Sequence, residues 1–194
     1  FGGRILDKGE PKYLNSPETP VFQKNQELYG LFEARASISH QKFVLVVEGY
    51  MDVVALAQSD IHNAVATLGT ATSAQHVQKL FRFTDTIVFS FDGDSAGRKA
   101  AWRAMTNALP YTSDTRTIKF LFLPPEHDPD SFVREFGADK FNAQISTAMT
   151  LSEFLLYGLK QAAPEANAEA RARQLNLAKP LLQAMPNNAL RTQI

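Results

Sequence analysis

Residues 86–105 read TIVFSFDGDSAGRKAAWRAM, and the folding of this stretch decides the class of the chain. Thr86 to Asp92 is a run of β-branched and aromatic residues, which predicts a buried strand. From Ser95 to Leu109, Ala100, Ala104, Met105 and Ala108 fall along one stripe, which predicts a helix. A strand running almost directly into a helix is half of a β–α unit. Asp92-Gly93-Asp94 occupies the junction. A carboxylate at the mouth of a buried strand is costly to desolvate unless something pairs with it. A helix cap, a salt bridge or a metal ion would serve.

The same grammar repeats on both sides. FVLVVEG (43–49) predicts a strand and MDVVALAQS (51–59) a helix. NAVATLG (63–69) is a second short strand, and TSAQHVQKLFRF (72–83) a helix with Thr72 or Ser73 as N-cap. TIKFLFLP (117–124) is the fourth strand, followed by a helix over 129–137 that ends at Gly137. Four alternations of strand and helix predict an α/β fold: a mostly parallel four-stranded sheet with right-handed crossovers and helices on both faces. Residues 1–30, rich in Gly, Pro, Asn and Lys, read as irregular, with a helix from about Gln26 to Ala36. Beyond about residue 140 no strand pattern remains. Residues 151–161 and 165–185 read as helices, punctuated by Pro164, Pro180 and Pro186.

Composition narrows the function. The 194 residues are 44% hydrophobic and 21% charged with zero formal net charge, as in an ordinary globular protein. Binding to a polyanion then needs a local patch rather than bulk charge. With no cysteine, the chain forms no disulfide and no thiolate zinc site. No apolar run approaches the roughly 20 residues of a membrane span, so no membrane association is expected. The opening, FGGRILDKGEPKY, has no initiator Met and no signal-peptide pattern. It reads as the edge of a piece of a longer protein.

The acids fall at one edge. Glu48 ends the first predicted strand, Asp92 and Asp94 the third, and Asp128 and Asp130 follow the fourth. In open α/β sheets, sites form outside the carboxyl ends of the strands. Five carboxylates from three strands therefore converge. Two such charges ~4 Å apart repel by about 4 kcal/mol at an effective dielectric near 20, so either some protonate or a cation neutralises them. All-oxygen ligands suit Mg²⁺ or Mn²⁺, and zinc is not expected. Gly93 is expected to leave room for an ion or phosphate to approach. Each acid also has an ordinary reading: Asp94 or Ser95 as a helix cap, Glu48 in a strand-to-helix turn, and DPD (128–130) as a helix start with Pro129 in its first turn. Only the conjunction favours a site.

VVEGYMDVVAL, FSFDGDSAGRKAAWRAM and FLPPEHDPDSFV together resemble the Toprim domain of bacterial primases, type IA and II topoisomerases and some nucleases. EGYMDV, LGTATSAQHVQKLFR, DGDSAGRKAAWRA and KYLNSPETPVFQKNQELYGL further resemble the RNA-polymerase core of bacterial replicative primases of the DnaG type. The resemblance implies three parts: residues 1–41 as a remnant of that core's N-terminal subdomain, 42–140 as the Toprim catalytic domain and 141–194 as a helical subdomain. It implies Glu48, Asp92 and Asp94 as catalytic metal ligands, with Asp128 and Asp130 serving a second ion or the incoming nucleotide. It implies that Arg4, Lys12, Asn15 and Lys24 guide nucleotide and DNA, flanked by Tyr50 and Asp52. The implied activity is metal-dependent synthesis of RNA primers from NTPs on a single-stranded DNA template, in the bacterial cytoplasm at the replication fork. A replicative helicase is the implied partner, through a domain absent from this chain. Weak or no synthesis by the piece alone is expected. The alternative is a Toprim-type metal-dependent nuclease or topoisomerase.

Overall fold

The computed structural model describes residues 2–4 and 13–194. Its centre is a five-stranded sheet in the order β4-β3-β5-β6-β7. The strands are β3 (Val44–Val47), β4 (Ala64–Ala66), β5 (Thr86–Phe91), β6 (Thr117–Phe122) and β7 (Met149–Thr150). Pairings β3–β4, β3–β5 and β5–β6 are all parallel. The mostly parallel α/β sheet expected from the sequence is present, with one more strand than predicted. β7 adds antiparallel to β6 through Lys119–Thr150 and Phe120–Met149. Two residues carry no readable alternation, so periodicity could not show it. A separate antiparallel pair joins β1 (Gly2–Arg4) to β2 (Tyr13–Asn15).

Alternation along the strands builds two apolar layers. One face carries Val44, Val46, Ile87, Phe89 and Phe91. It packs against Ala101, Ala104 and Met105 of α4 (Ser95–Ala108) and Phe154 and Leu155 of α6 (Leu151–Ala162). The other carries Leu45, Val47, Val88 and Leu121, covered by Val53 and Leu56 of α2 (Tyr50–Gln58) and Phe132 and Val133 of α5 (Pro129–Ser146). Phe120 is fully buried between Phe89, 5.6 Å away, and Phe154, 4.7 Å away, centroid to centroid. Each such ring contributes about 2–3 kcal/mol of burial.

Several boundaries moved for physical reasons. α1 spans Leu31–Gln41 rather than starting near Gln26. Tyr29 is held extended by paired backbone bonds to Ala66 (2.8 and 3.1 Å), and Gly30 turns the chain at φ 76°. Gly137 (φ 82°) breaks α5 but does not end it; a second helical segment continues to Ser146. Pro180 lies inside α7 (Ala168–Ala184) rather than punctuating it. The C-terminal helix α8 is Ala189–Gln193.

His76 is a fully buried latch. It sits in α3 (Ala74–Leu80), capped by Ser73. Carbonyls only accept, so Nε2 donates to the Lys24 and Glu27 oxygens (2.9 and 3.1 Å). The Ser73 N–H only donates, so Nδ1 accepts from it at 3.1 Å. The ring is thereby neutral, and burial, the largest cause, lowers its pKa. It fastens residues 24–27 to the sheet domain.

Candidate active site

The β5–α4 junction is built on two close approaches. A Cβ on Gly97 would lie 2.2 Å from the Asp92 carbonyl oxygen, and one on Gly93 would lie 2.1 Å from that of Leu123. Two glycines thus let the Asp92 segment sit between the first turn of α4 and the β6–α5 loop. This corrects the expectation for Gly93: the space its missing side chain leaves is filled by the Leu123–Pro125 backbone, not kept open for phosphate. The gain is indirect, since the packed loop leads to Asp128 and Asp130.

Asp94 is the N-cap of α4, its Oδ1 accepting from the Gly97 N–H at 2.7 Å. Asp128 caps α5 in the same way, accepting from the Ser131 N–H at 2.8 Å, with Pro129 in the first turn. The ordinary cap readings of both residues hold locally. Capping engages one oxygen of each and leaves the charge in place.

That charge is felt across the edge. Glu48, exposed at the end of β3, has its pKa raised, first by the protein packed around its carboxylate and then by the Asp92 and Asp94 charges. Asp52, one turn into α2, is 9% exposed. Burial pushes its pKa up to about 7, and Asp128 and Asp92 push the same way. The backbone N–H groups of Gly49 and Asp130 oppose the shift, the former at 2.9 Å from Oδ2. Asp92 acts on both, and so joins two groups: Glu48 with Asp94, and Asp52 with Asp128.

Asp130 is different. Its carboxylate pairs with Arg134 one turn on, and it meets Asp52 through its backbone. Tyr50 opens α2 with its ring 5.4 Å from that of Tyr29, beside a cavity of about 970 Å³. Lys24 is tied through its backbone to Glu18 and His76. Arg4 and Asn15 lie in the β1–β2 pair, with only their backbone described, and Lys12 lies outside the described residues. Arg98, on the polar face of α4, stacks over Phe122 and Tyr157 at 4.8 and 5.6 Å. His127 packs edge-on against Phe132 and Phe136.

Among the described residues no three carboxylate or histidine side chains close into a ready-made metal shell. The donor chemistry nonetheless fits a divalent ion. The donors are all oxygen, they raise one another's proton affinity, and they come from loops and helix starts rather than from a fixed cage.

Residues 45–133 match the family described as Toprim-like, and residues 1–35 match the N-terminal domain of the DNA primase catalytic core. The DNA primase of Pseudomonas aeruginosa is 55% identical over 192 residues, which cover 98% of this chain and 29% of that protein. The DNA primase of Escherichia coli K12 is 51% identical over 191 residues, covering 98% and 33%. This chain belongs to the DnaG-type DNA primases. It spans about a third of the length of the curated relatives it matches. A solved primase domain from Pseudomonas aeruginosa superposes with a TM-score of 0.94 at 54% identity, covering 99% of this chain and 60% of that one. A DnaG primase catalytic domain bound to single-stranded DNA superposes at 0.91 and 49% identity, covering 99% and 62%. The α/β sheet described above is therefore that of a Toprim domain. Among the described residues no helix is long and apolar enough to cross a membrane.

Proposed function

We propose that the chain carries the catalytic centre for template-directed RNA primer synthesis. The observation that carries this reading is the pair of carboxylate groups joined through Asp92 at the carboxyl edge of a Toprim sheet. Glu48, Asp92 and Asp94 hold Mg²⁺ or Mn²⁺, with Asp128 and Asp130 serving a second ion or the incoming nucleotide. When bound, the ion lowers the pKa of the attacking 3′-hydroxyl and neutralises the triphosphate. The 3′-hydroxyl would lose its proton to solvent and its oxygen would bond to the α-phosphorus of the incoming NTP, while the bond from that phosphorus to the α–β bridging oxygen breaks and pyrophosphate leaves.

The residues of the chain supply position. Caps by Asp94 and Asp128 fix the first turns of α4 and α5, and with them the acids. Arg4, Lys12, Asn15 and Lys24 guide the DNA template, primer and NTP, with Tyr50 and Asp52 flanking. A replicative helicase is the proposed protein partner. The setting is the bacterial cytoplasm at the replication fork. The solved relative bound to single-stranded DNA supports the template assignment.

Primer yield from a full primase carrying Asp92→Ala tests the reading. Synthesis is expected to be lost while circular dichroism shows an intact fold. Undiminished yield would refute the assignment, and Mg²⁺-dependent cutting of labelled single-stranded DNA would point to a nuclease instead.

A further inference from the structure

We propose that the cavity on the α4 side of Glu48 is a polyphosphate subsite, with Arg103 as its cation and Thr67 and Thr72 as hydroxyl donors. It rests on the nucleotidyl-transfer reading above and names where the phosphates beyond the reacting one are held. The cavity measures about 300 Å³ and is lined by Glu48, the β4–α3 loop and Ala100 and Arg103 of α4. Its floor is Val46, Phe89 and Phe91, which belong to the apolar layer beneath α4. Asp52 and the start of α5 belong with the opposite layer. Glu48 is thus the one acid of the edge that also lines this cavity.

The polar groups here are built in yet unused. Thr67 and Thr72 are each only 6% exposed, and neither hydroxyl has a hydrogen-bond partner among the described residues. Neither threonine oxygen is sealed from the cavity's solvent, and Ser90 Oγ on the same lining is buried with no partner among the described residues. Buried hydroxyls are normally paired, so this lining marks a place for a ligand's acceptors. Arg103 is exposed at the rim and has neither ion pair nor hydrogen bond among the described residues. The wall is held in place. The Thr72 carbonyl accepts from Asn107 Nδ2 of α4 at 2.8 Å, and Ser73 caps α3.

A guanidinium and hydroxyl donors at one end, with a carboxylate suited to a divalent ion at the other, match an anion rich in acceptors that also binds that ion. A short polyphosphate has this chemistry, and Arg recognises it bidentately. It reaches the cavity from either of two sources: the triphosphate tail of the incoming nucleotide, or the pyrophosphate that leaves.

Calorimetric titration of a full primase containing this chain with magnesium pyrophosphate tests the subsite. Arg103→Ala should weaken binding about tenfold or more, and Thr72→Val, which keeps the shape and removes the hydroxyl, about threefold. Neither should move the thermal midpoint, since Arg103 is exposed and Thr72→Val leaves no cavity. Primer-synthesis kinetics separate the sources. A raised pyrophosphate inhibition constant with unchanged KM for NTP assigns the site to the leaving group, and a joint rise in KM assigns it to the triphosphate. Unchanged pyrophosphate affinity in both variants overturns the subsite, even if Asp92→Ala abolishes synthesis. Full synthesis by Asp92→Ala together with weakened pyrophosphate binding in Arg103→Ala overturns the polymerase reading and leaves the anion site standing.

Discussion

The two sides of the sheet's carboxyl edge use the same residue type for opposite ends. On the α2–α5 side the acids are held by their own chain, although Asp128 is exposed. Asp52 is nearly buried, with its proton affinity pushed up to about 7, Asp128 caps a helix and Asp130 is paired with Arg134. On the α4 side Glu48 stands exposed beside an open cavity, and only Asp94 is engaged, as a cap. Asp92 lies electrostatically between them. Capped and paired carboxylates fix geometry, and the buried Asp52 also resists charging, whereas the exposed Glu48 can meet an ion without first losing its water. Under the proposed function, a site with one held and one open side would give an incoming nucleotide a direction of approach.

The strongest way to break this comparison is to remove the residue common to both sides. Asp92→Asn should cut primer synthesis by at least about a thousandfold, the loss of a group acting on charge in the transition state. Without divalent metal its thermal midpoint should not fall, because a like charge has been taken from Glu48 and Asp52. Asp94→Ala should instead lower both activity and stability, the latter by about 1 kcal/mol for the lost N-cap. Equal melting losses in the two variants would show that Asp92 is only another structural acid.

The held side should announce itself in pH. Asp52 titrates near 3.8 when unfolded and about 7 when folded. Because the folded value is the higher one, the stabilising term is complete below about pH 4. It is lost as pH rises through 7, costing roughly 2–4 kcal/mol without metal. Denaturant midpoints between pH 4 and 8 measure this. Asp52→Asn, which can still accept from the Gly49 N–H, should flatten the slope. Saturating Mg²⁺ should reduce it in the unaltered chain. A slope that Asp52→Asn leaves unchanged would place the titration elsewhere.

Gly97→Ala probes the frame that brings the two sides together. A Cβ 2.2 Å from the Asp92 carbonyl forces α4 and the strand end apart, at a cost of about 1–3 kcal/mol. Primer synthesis should fall with it, since the displaced atoms carry Asp92. Loss of stability with full activity would show that the position of Asp92 is not critical.

How much of this was legible in the sequence follows from which contacts are local. The strand-helix alternation and the Glu48, Asp92 and Asp94 positions could be read because 3.6- and 2-residue periodicities and strand ends are written locally. The purpose of Gly93 could not, because the backbone that fills its space comes from residues 123–125, some thirty positions on. The pairing of Asp130 with Arg134 spans one helical turn and was open to a closer local reading. His76 was opaque because its partners lie some fifty residues upstream, in a segment with no periodicity. Its folded pKa is lowered, so its contribution is present above about pH 6.5 and shrinks as pH falls below that value. His76→Ala should cost about 2 kcal/mol near neutrality through two orphaned carbonyls and one N–H, measurable by urea titration. A variant with its five-stranded sheet intact but residues 24–27 open to proteolysis would fit the latch role. Unaltered protection of that segment would contradict it.

The smallest effect is expected where the held side touches solvent. Arg134 is 61% exposed, and its pairing with Asp130 is an exposed i,i+4 contact, a class worth about 0.3–0.5 kcal/mol. Arg134→Ala should therefore change stability by no more than about 0.5 kcal/mol. Its effect on the site should be of the opposite sign. Removing the cation leaves the Asp130 charge beside Asp128 and Asp52 without a neutralising partner on its own helix, which strengthens the field acting on a divalent ion. The Mg²⁺ concentration for half-maximal synthesis should drop, by less than about threefold at physiological salt, where screening acts over roughly 8 Å. A rise in that concentration would mean that Arg134 positions Asp130 for the ion rather than holding it away, and the held side would then be a second arm of the metal cradle.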